Sequence, residues 1–439
     1  MLLTEADDDL LATCYRNLRE QPIDPSDPFY VEIWEHSDHD PVRRLRKHIL
    51  WTEFESLQLF SGFSGSGKST QLLRLKRDLE AHSYLVLYAD AENYLNIREP
   101  IELEDLLVTI AGAFSDQLDP SLLTDSYWDR LVNYLVKTDV SIPEATFKTP
   151  NFSFKAELKS SPTFRQRIRK TIESRLPEFR RQVEVFVDEV VRTVYKKTPG
   201  RRVVFLFDSF EKLRGTTSNE REVIASVERV FGRSVDVLQL PGVHCVYSVP
   251  AFVQFFITNA KLELIPTIKL WKKRLKGEEQ PHDPGLDVLR QLLEKRFGAP
   301  AQRRIFGEPD AQGRYPIAET LIAASGGALR YLLRLFRESL LITQSLPISP
   351  AVAEQAIATV RNDFKPSIED ARWLDKIHRE QAADPQTADA PDVNRYMRLL
   401  DSHMILLYKN ETSWYDSLPL IRSEVDRILA LNPDPAPES

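Results

Sequence analysis

The sequence predicts an α/β protein built on a parallel sheet. Residues 56–61 form a short strand-like segment that runs into a glycine-rich loop and then into leucines at helical spacing. Residues 203–207 are continuously apolar, which is typical of a strand that a parallel sheet buries on both faces. Helix-like stretches dominate the chain beyond residue 285. Together these observations predict strands alternating with helices, followed by a helical region.

The composition fits several packed domains. The chain has 439 residues, 42% hydrophobic and 28% charged, which excludes a largely disordered chain and suggests two to three domains. The apolar runs are too short for a membrane span, and the first twenty residues lack the apolar core of a signal peptide. Cys14 and Cys245 are too few for a disulfide framework or a cysteine zinc site. We therefore expect a cytoplasmic protein with no membrane contact.

Residues 62–70 carry a phosphate-binding loop. They match G-x-x-x-x-G-K-S between a strand and a helix, which is the context that this motif requires. Glycines let successive backbone N–H groups surround phosphates, and the helix N-terminus adds positive potential. We expect Lys68 to reach the β- and γ-phosphates of ATP and the Ser69 hydroxyl to ligate Mg²⁺. The predicted nucleotide-binding residues of this P-loop are Gly62, Ser64, Gly65, Ser66, Gly67, Lys68, Ser69 and Thr70.

Asp208 ends the apolar strand and supplies the carboxylate that a P-loop needs. We expect it to hold Mg²⁺, usually through water. Glu211, three residues later, is the predicted catalytic residue that orients or deprotonates the attacking water. The alternative for Glu211 is a helix-start acid that pairs with Lys212 or Arg214.

Motif content, motif position and chain length argue against three classes of P-loop protein. The chain has no N/T-K-x-D sequence, which a GTPase uses to bind guanine. Ser325-Gly326-Gly327 follows Asp208 by 117 residues, whereas a transporter-type ATPase places this signature before its second acidic strand. The chain is also longer than a small-molecule kinase needs.

The order of elements resembles the AAA+ and STAND branch of P-loop ATPases, close to the origin-recognition type. Asp208-Ser-Phe-Glu211-Lys212 looks like the STAND form and departs from the adjacent Asp-Glu pair of most AAA+ proteins. The resemblance implies that Ser248 contacts the nucleotide, and that Arg330 contacts the γ-phosphate as a catalytic lid arginine. The alternatives are an ordinary strand-end serine and a helix-start arginine. Further strands are predicted at 84–90, 243–250 and 264–270, and lid helices at 286–297, 317–324 and 328–341.

The resemblance, which covers residues 28 to 430, also divides the chain. The expected parts are an N-terminal helical segment 1–40, an ATPase core 41–282, a helical lid 283–348, a winged-helix domain 349–431 and a disordered tail 432–439. Nearly 120 residues separate the second strand from Asp208, more than one crossover helix needs, so we expect an insertion at about 100–200. The insertion is predicted to hold helices at 102–118, 127–136 and 164–176, another from 177, and a hairpin over 146–158. Residues 394–400, 404–408 and 414–420 predict a helix and two strands of the winged helix.

The charge is distributed unevenly. Residues 155–202 carry 14 Lys and Arg against 6 Asp and Glu, a local charge of +8 in a chain of net charge −7. Residues 165–181 and 269–276 are basic clusters. Each predicts either a surface for nucleic acid or a protein partner, or a solvated basic face.

Three functions remain open from the sequence. The leading hypothesis is an ATP- and Mg²⁺-dependent STAND/AAA+ switch ATPase, a prokaryotic regulator with a separate effector partner and an antiphage role. The resemblance implies a homo-oligomer in which Arg229 or Arg233 acts on a neighbour's nucleotide. The alternative is a DNA-binding AAA+ loader or target selector of origin-recognition type. A third reading keeps ATP as a structural ligand without turnover.

Overall fold

A five-stranded sheet organises the fold in a computed structural model of the chain. The described residues are 3–34, 39–123, 127–138, 151–213, 215–216, 218–257, 259–274, 280–382, 390–409 and 412–433. The chain divides into two units. We call Pro41–Gly62 with Gln71–Leu264 the sheet unit, and Met1–Asp40, Phe63–Thr70 and Ile265–Ser439 the helical unit. None of the described helices is long and apolar enough to cross a membrane.

The sheet is parallel and largely buried. Its strands are β1 (Ser56–Gly62), β2 (Leu85–Asp90), β3 (Val203–Asp208), β4 (Val243–Val249) and β5 (Lys261–Ile265), in the order β2-β3-β4-β1-β5. The pairs β2/β3, β3/β4 and β4/β1 are parallel, so their carboxyl ends share one edge. Every residue of β3 and β4 is buried, as their apolar sequences predict. The predicted α/β class with a parallel sheet is confirmed.

The fifth strand differs from its prediction. β5 ends at Ile265, whereas the sequence predicted a strand over 264–270. Pro266 follows at once, and because proline has no N–H it cannot donate to a strand ladder. The prediction was therefore wrong for residues 266–270, and the strand begins three residues earlier, at Lys261.

The predicted insertion is helical where it is described. Helices of this region and its surroundings are α2 (Pro41–Trp51), α3 (Lys68–Glu80), α4 (Leu103–Asp116), α5 (Tyr127–Thr138), α6 (Asn151–Ser160), α7 (Pro162–Glu173), α8 (Leu176–Lys197) and α9 (Glu220–Val227). The predicted hairpin was wrong for residues 151–158, which lie in α6; residues 146–150 fall outside the described residues. The alternation of apolar and polar residues suggested strands. Residues 155–159 (KAELK) are good helix formers, however, and their helix propensity outweighs that pattern.

The helical unit contains the predicted lid helices. Its elements are α1 (Glu5–Asn17), α10 (Asp283–Phe297), α11 (Ala299–Phe306), α12 (Pro316–Ser325), α13 (Leu329–Ile342), α14 (Pro350–Arg361), α15 (Ile368–Glu380), α16 (Ala390–Asp401), α17 (Arg422–Leu431) and the antiparallel pair β6 (Ile405–Lys409) and β7 (Ser413–Ser417). The sequence did not predict α11, a short helix between two glycines. The helix-strand-strand order near the C-terminus is confirmed, but the second strand ends at Ser417, so the prediction was wrong for residues 418–420, where Pro419 cannot donate to a strand ladder. The winged-helix assignment and the domain boundaries stay predictions. Residues 434–439 of the predicted tail lie outside the described residues.

Candidate functional site

The phosphate-binding loop has the backbone shape that its motif requires. Gly65 and Gly67 adopt φ angles of +78° and +88°, a region that residues with a Cβ rarely enter. α3 begins at Lys68, so the free N–H groups of a helix start follow the loop directly. Lys68 is buried, and its Nζ donates to the carbonyl of Phe63 at 2.8 Å. The loop therefore combines a curled backbone, a helix start and a buried cation.

Two observations within the helical unit describe the surroundings of this loop. The Ser66 hydroxyl is buried, with no hydrogen-bond partner among the described residues. A Cβ built on Gly65 would lie 2.7 Å from Nε of Arg330, so only glycine lets the arginine approach the loop this closely. Thr70 accepts a hydrogen bond at its Oγ1 from the N–H of Ile23 at 3.1 Å. A cation and an unpartnered hydroxyl donor thus lie at the loop that the motif assigns to phosphates.

Arg330 lies beside the P-loop because of the turn that precedes α13. Gly326 and Gly327 have φ angles of +60° and +85°, and a Cβ on Gly327 would lie 1.8 Å from the carbonyl oxygen of Ile268. Arg330 is the second residue of α13. Its Nε lies 3.8 Å from a carboxylate oxygen of Glu20. The N-terminal segment and the lid therefore share an ion pair at the residue predicted to contact the γ-phosphate.

Several acids lie at the carboxyl edge of the sheet, where β2, β3 and β4 end. Asp90 and Asp208 are paired in register at the ends of β2 and β3. Asp208 is 1% exposed. Its Oδ1 accepts a hydrogen bond from the N–H of Ser209, and its Oδ2 accepts one from the Tyr88 hydroxyl, both at 2.7 Å. These donors fix the orientation of the carboxylate predicted to serve the metal.

Glu211 and Ser248 are brought together at the same edge. The Ser248 hydroxyl donates to Oε2 of Glu211 at 2.8 Å, and both side chains are buried. Ser209 has a left-handed φ of +73°, which turns the chain sharply between Asp208 and Glu211. Lys212, the alternative partner of Glu211, forms an ion pair with Glu92, and residue 214 lies outside the described residues.

Tyr88 is a residue of this edge that sequence reasoning missed. Burial and the neighbouring Asp208 carboxylate raise the pKa of Tyr88 far above its usual value, so its hydroxyl remains a donor. The available signal was Tyr88-Ala-Asp90, whose first and third side chains share one face of β2. Nothing in that pattern indicates the partner, which lies 120 residues away.

The described residues contain no group of three or more His, Cys, Asp and Glu side chains arranged to hold a metal. Mg²⁺ in phosphate sites uses one or two protein oxygens, together with phosphate and water. The Ser69 hydroxyl and the Asp208 carboxylate have that donor chemistry. They remain the predicted ligands.

The two predicted basic segments are partly used inside the fold. Arg165 is buried, donates to the carbonyls of Leu158 and Lys159, and pairs with Glu99. Arg169 donates through Nε to both carboxylate oxygens of Asp105, at 2.8 and 2.7 Å. Arg167, Lys170, Arg175 and Arg181 are exposed. The structural alternative therefore accounts for the buried arginines of residues 165–181.

Arg274 of the second basic segment is also held within the fold. Its backbone N–H donates to Gln381 at 2.6 Å, and its guanidinium contacts His378 and Asp416. Lys272 and Lys273 are exposed, and residues 275–276 lie outside the described residues. The candidate trans arginines are both exposed and both paired: Arg229 with Glu102 at 2.6 Å, and Arg233 with Glu228 at 3.2 Å.

Comparison with known proteins gives matches to solved structures only. No family model and no curated protein matches the chain. The chain is similar to the Walker-type ATPase of Pyrococcus abyssi at 12% identity and a TM-score of 0.40, over 93% of this chain and 99% of that one. It is similar to the ORC2 protein of Aeropyrum pernix in its ADPNP–ADP complexes at 12% identity and a TM-score of 0.38, over 95% and 98%. It is similar to Cdc6p of Pyrobaculum aerophilum at 9% identity and a TM-score of 0.33, over 98% of this chain and 99% of that one.

The STAND assignment is not confirmed by these neighbours and stays a prediction. The fold assignment rests on the parallel sheet and the P-loop described above. The chain thus has a P-loop α/β fold, and its structural neighbours are ORC/Cdc6-like AAA+ ATPases.

Proposed function

We propose that the chain is an AAA+ ATPase that binds ATP with Mg²⁺ and hydrolyses it to ADP and phosphate. The observation that carries the proposal is the loop from Gly62 to Thr70. It joins two positive-φ glycines to a helix that starts at a buried lysine. Backbone N–H groups in this arrangement bind phosphate oxygens.

Each predicted residue has a chemical role in this proposal. Lys68 binds the β- and γ-phosphates, and Arg330 neutralises charge on the γ-phosphate. Ser69 and Asp208 would hold Mg²⁺, which offsets phosphate charge during transfer. Glu211 orients the attacking water and accepts its proton. The hydrogen bond from Ser248 holds the Glu211 carboxylate in one orientation.

The Glu20–Arg330 pair supports a nucleotide-controlled switch. A γ-phosphate competes with Glu20 for Arg330, so nucleotide binding would weaken one of the contacts between the N-terminal segment and the lid. This change would report the nucleotide state to a partner. The separate effector and the antiphage role rest on the STAND resemblance alone.

The test is ATP binding by the Lys68→Ala variant, measured by calorimetry. Loss of the lysine should weaken binding at least about tenfold, because a charge-assisted bond to phosphate is lost. Lys76→Ala is the matched control, since Lys76 lies half-exposed on the same helix and pairs with Glu80. Equal ATP affinity in the Lys68 variant and the control would refute the proposed site.

A DNA-binding loader of origin-recognition type is the second candidate. The exposed cations Arg167 and Lys170 on α7 favour it. One solved structure similar to the chain is titled Drosophila ORC bound to poly(dA/dT) DNA and Cdc6. The test is duplex affinity as a function of salt, for which each phosphate neutralised adds about 0.9 to the slope of log K against log salt. Substituting both residues with alanine should lower the slope; an unchanged slope would exclude α7 as the binding surface.

A further inference from the structure

The amino-terminal edge of the sheet exposes three aromatic side chains. Trp51 is 78% exposed, Phe54 75% and Tyr195 59%. The other strongly exposed large apolar side chains among the described residues are aliphatic: Val185, Leu341, Ile368 and Leu431. The exposed aromatic rings therefore belong to one region of the sheet unit.

Hydrogen bonds tie the segments of this edge together. The Arg202 guanidinium, just before β3, donates to the carbonyl of Thr52 at 3.0 Å. The Glu55 carboxylate accepts a hydrogen bond from the N–H of Gly242, just before β4, at 2.7 Å. The loop that carries Phe54 is thus fixed to the starts of β3 and β4.

The last turns of α8 also lie at the amino-terminal edge of the sheet. A Cβ built on Gly242 would lie 3.1 Å from Cγ1 of Val191. Tyr195 follows Val191 by four residues and so continues the same helix face by one turn. The exposed ring of Tyr195 is therefore one helical turn further along α8 than Val191, which contacts the Gly242 turn that Glu55 binds.

This edge is strongly basic. Residues 41–55 and 195–202 contain eight Lys and Arg against two Glu, in a chain of net charge −7. Lys47 lies with its Nζ 5.4 Å from the ring centroid of Trp51, and Lys196 is exposed. Arg44 and Arg46 are paired with acids of the sheet unit. Glu53 and Glu55 are the two acids of these segments, and both are exposed, so the six remaining Lys and Arg still leave an excess of positive charge.

We propose that this amino-edge surface, formed by Lys47, Trp51, Phe54, Tyr195, Lys196 and Arg201, binds single-stranded nucleic acid. Exposed rings offer faces on which unpaired bases stack, and the flanking cations contact the phosphates. Paired bases of a duplex keep their faces within the stack, which favours a single strand. None of these residues lies in the P-loop or at the carboxyl edge, so the surface is independent of the proposed ATP site.

The test is binding of a fluorescein-labelled twenty-nucleotide oligothymidylate, followed by anisotropy. Trp51→Ala should weaken binding about tenfold, the loss of one base stacked on an aromatic ring. Lys196→Ala combined with Arg201→Ala should reduce the salt slope by about 1.4, because each single-strand phosphate contact contributes about 0.7. The fluorescence of Trp51 should also be quenched on binding.

Controls separate stacking from charge and from instability. Leu341→Ala removes another strongly exposed apolar side chain, one of the helical unit, and should leave binding unchanged. Heparin, a polyanion without bases, should bind the wild type and Trp51→Ala alike. Equal oligothymidylate affinities for Trp51→Ala and Leu341→Ala would overturn the proposal. Binding of poly-glutamate as tight as that of oligothymidylate would also overturn it, in favour of an acidic protein partner. ATP affinity, measured separately, reports on the nucleotide site alone.

Discussion

The two edges of the parallel sheet carry opposite chemistry. At the carboxyl edge, Asp208 and Glu211 are buried and hydrogen-bonded. At the amino edge, Arg202 braces the Thr52 loop and Trp51 faces solvent. Because parallel strands place all their carboxyl ends on one side, a single sheet can separate an acidic, enclosed site from a basic, open surface. Burial therefore distinguishes the two edges as much as charge does.

The largest expected effect comes from removing the carboxylate of Glu211. Glu211→Gln should lower ATP turnover about 100-fold or more, since a general base contributes on this scale. ATP affinity should change little because the amide keeps the shape and can still accept the Ser248 hydrogen bond. The measurement is phosphate release under saturating ATP.

Ser248→Ala is the companion variant. It leaves the Glu211 carboxylate but removes the hydrogen bond that orients it, so we expect a smaller loss of turnover than in Glu211→Gln. If turnover in Glu211→Gln equals that of the wild type, the carboxyl edge is not catalytic. If neither protein releases phosphate faster than the protein-free control, ATP is a structural ligand.

The amino edge should make stability depend on pH through His244. This residue at the start of β4 is fully buried, with Nδ1 2.9 Å from the Ser56 hydroxyl. Burial, with the charges of Arg202 and His48, lowers the pKa of His244 to about 4. In the unfolded chain the pKa is about 6.5. The unfolded state therefore binds more protons between these values, so stability is full above pH 6.5 and falls towards pH 4.

The expected loss is about 3 kcal/mol across that interval, at roughly 1.4 kcal/mol per pKa unit. Urea unfolding at a series of pH values measures it. Carboxylates titrate in both proteins, so the relevant quantity is the difference between the wild type and His244→Gln. A constant difference from pH 7 to pH 4 would show that His244 does not titrate as its burial requires.

The residues of the carboxyl edge were easier to predict from the sequence than those of the amino edge. The P-loop, Asp208 and Glu211 lie in local motifs, so a single stretch of chain reveals their chemistry. The contact of Ser248 with Glu211 and that of Tyr88 with Asp208 span 37 and 120 residues. They depend on strand order, which no local pattern contains.

Local patterns also failed where two preferences compete. Alternating phenylalanines suggested a hairpin, but the helix formers after them extend α6 through residues 151–158. The exposure of Trp51 was unpredictable for another reason. An aromatic residue at the end of an amphipathic helix is usually buried, and only the packing of the neighbouring loops decides whether it is.

Removing the Tyr88 hydroxyl tests how firmly the carboxyl edge is held. Tyr88→Phe leaves Oδ2 of the buried Asp208 without this donor, so we expect a loss of about 2 kcal/mol in unfolding free energy. Urea unfolding at neutral pH gives the value. Tyr195→Phe, which removes a hydroxyl from an exposed ring, should change stability far less. Equal effects of the two variants would mean that Asp208 does not depend on Tyr88.

The smallest effect should come from the bond that braces the amino edge. Arg202→Ala removes a charged donor to the carbonyl of Thr52, at a half-buried position that water can partly reach. Because water replaces part of the lost bond, we expect about 1 kcal/mol, measured by urea unfolding. Arg201→Ala leaves that bond in place and is the matched control. ATP affinity should be unchanged in both variants, since the nucleotide loop follows the opposite end of β1. A tenfold loss of ATP affinity in Arg202→Ala alone would show that the two edges are coupled through the sheet.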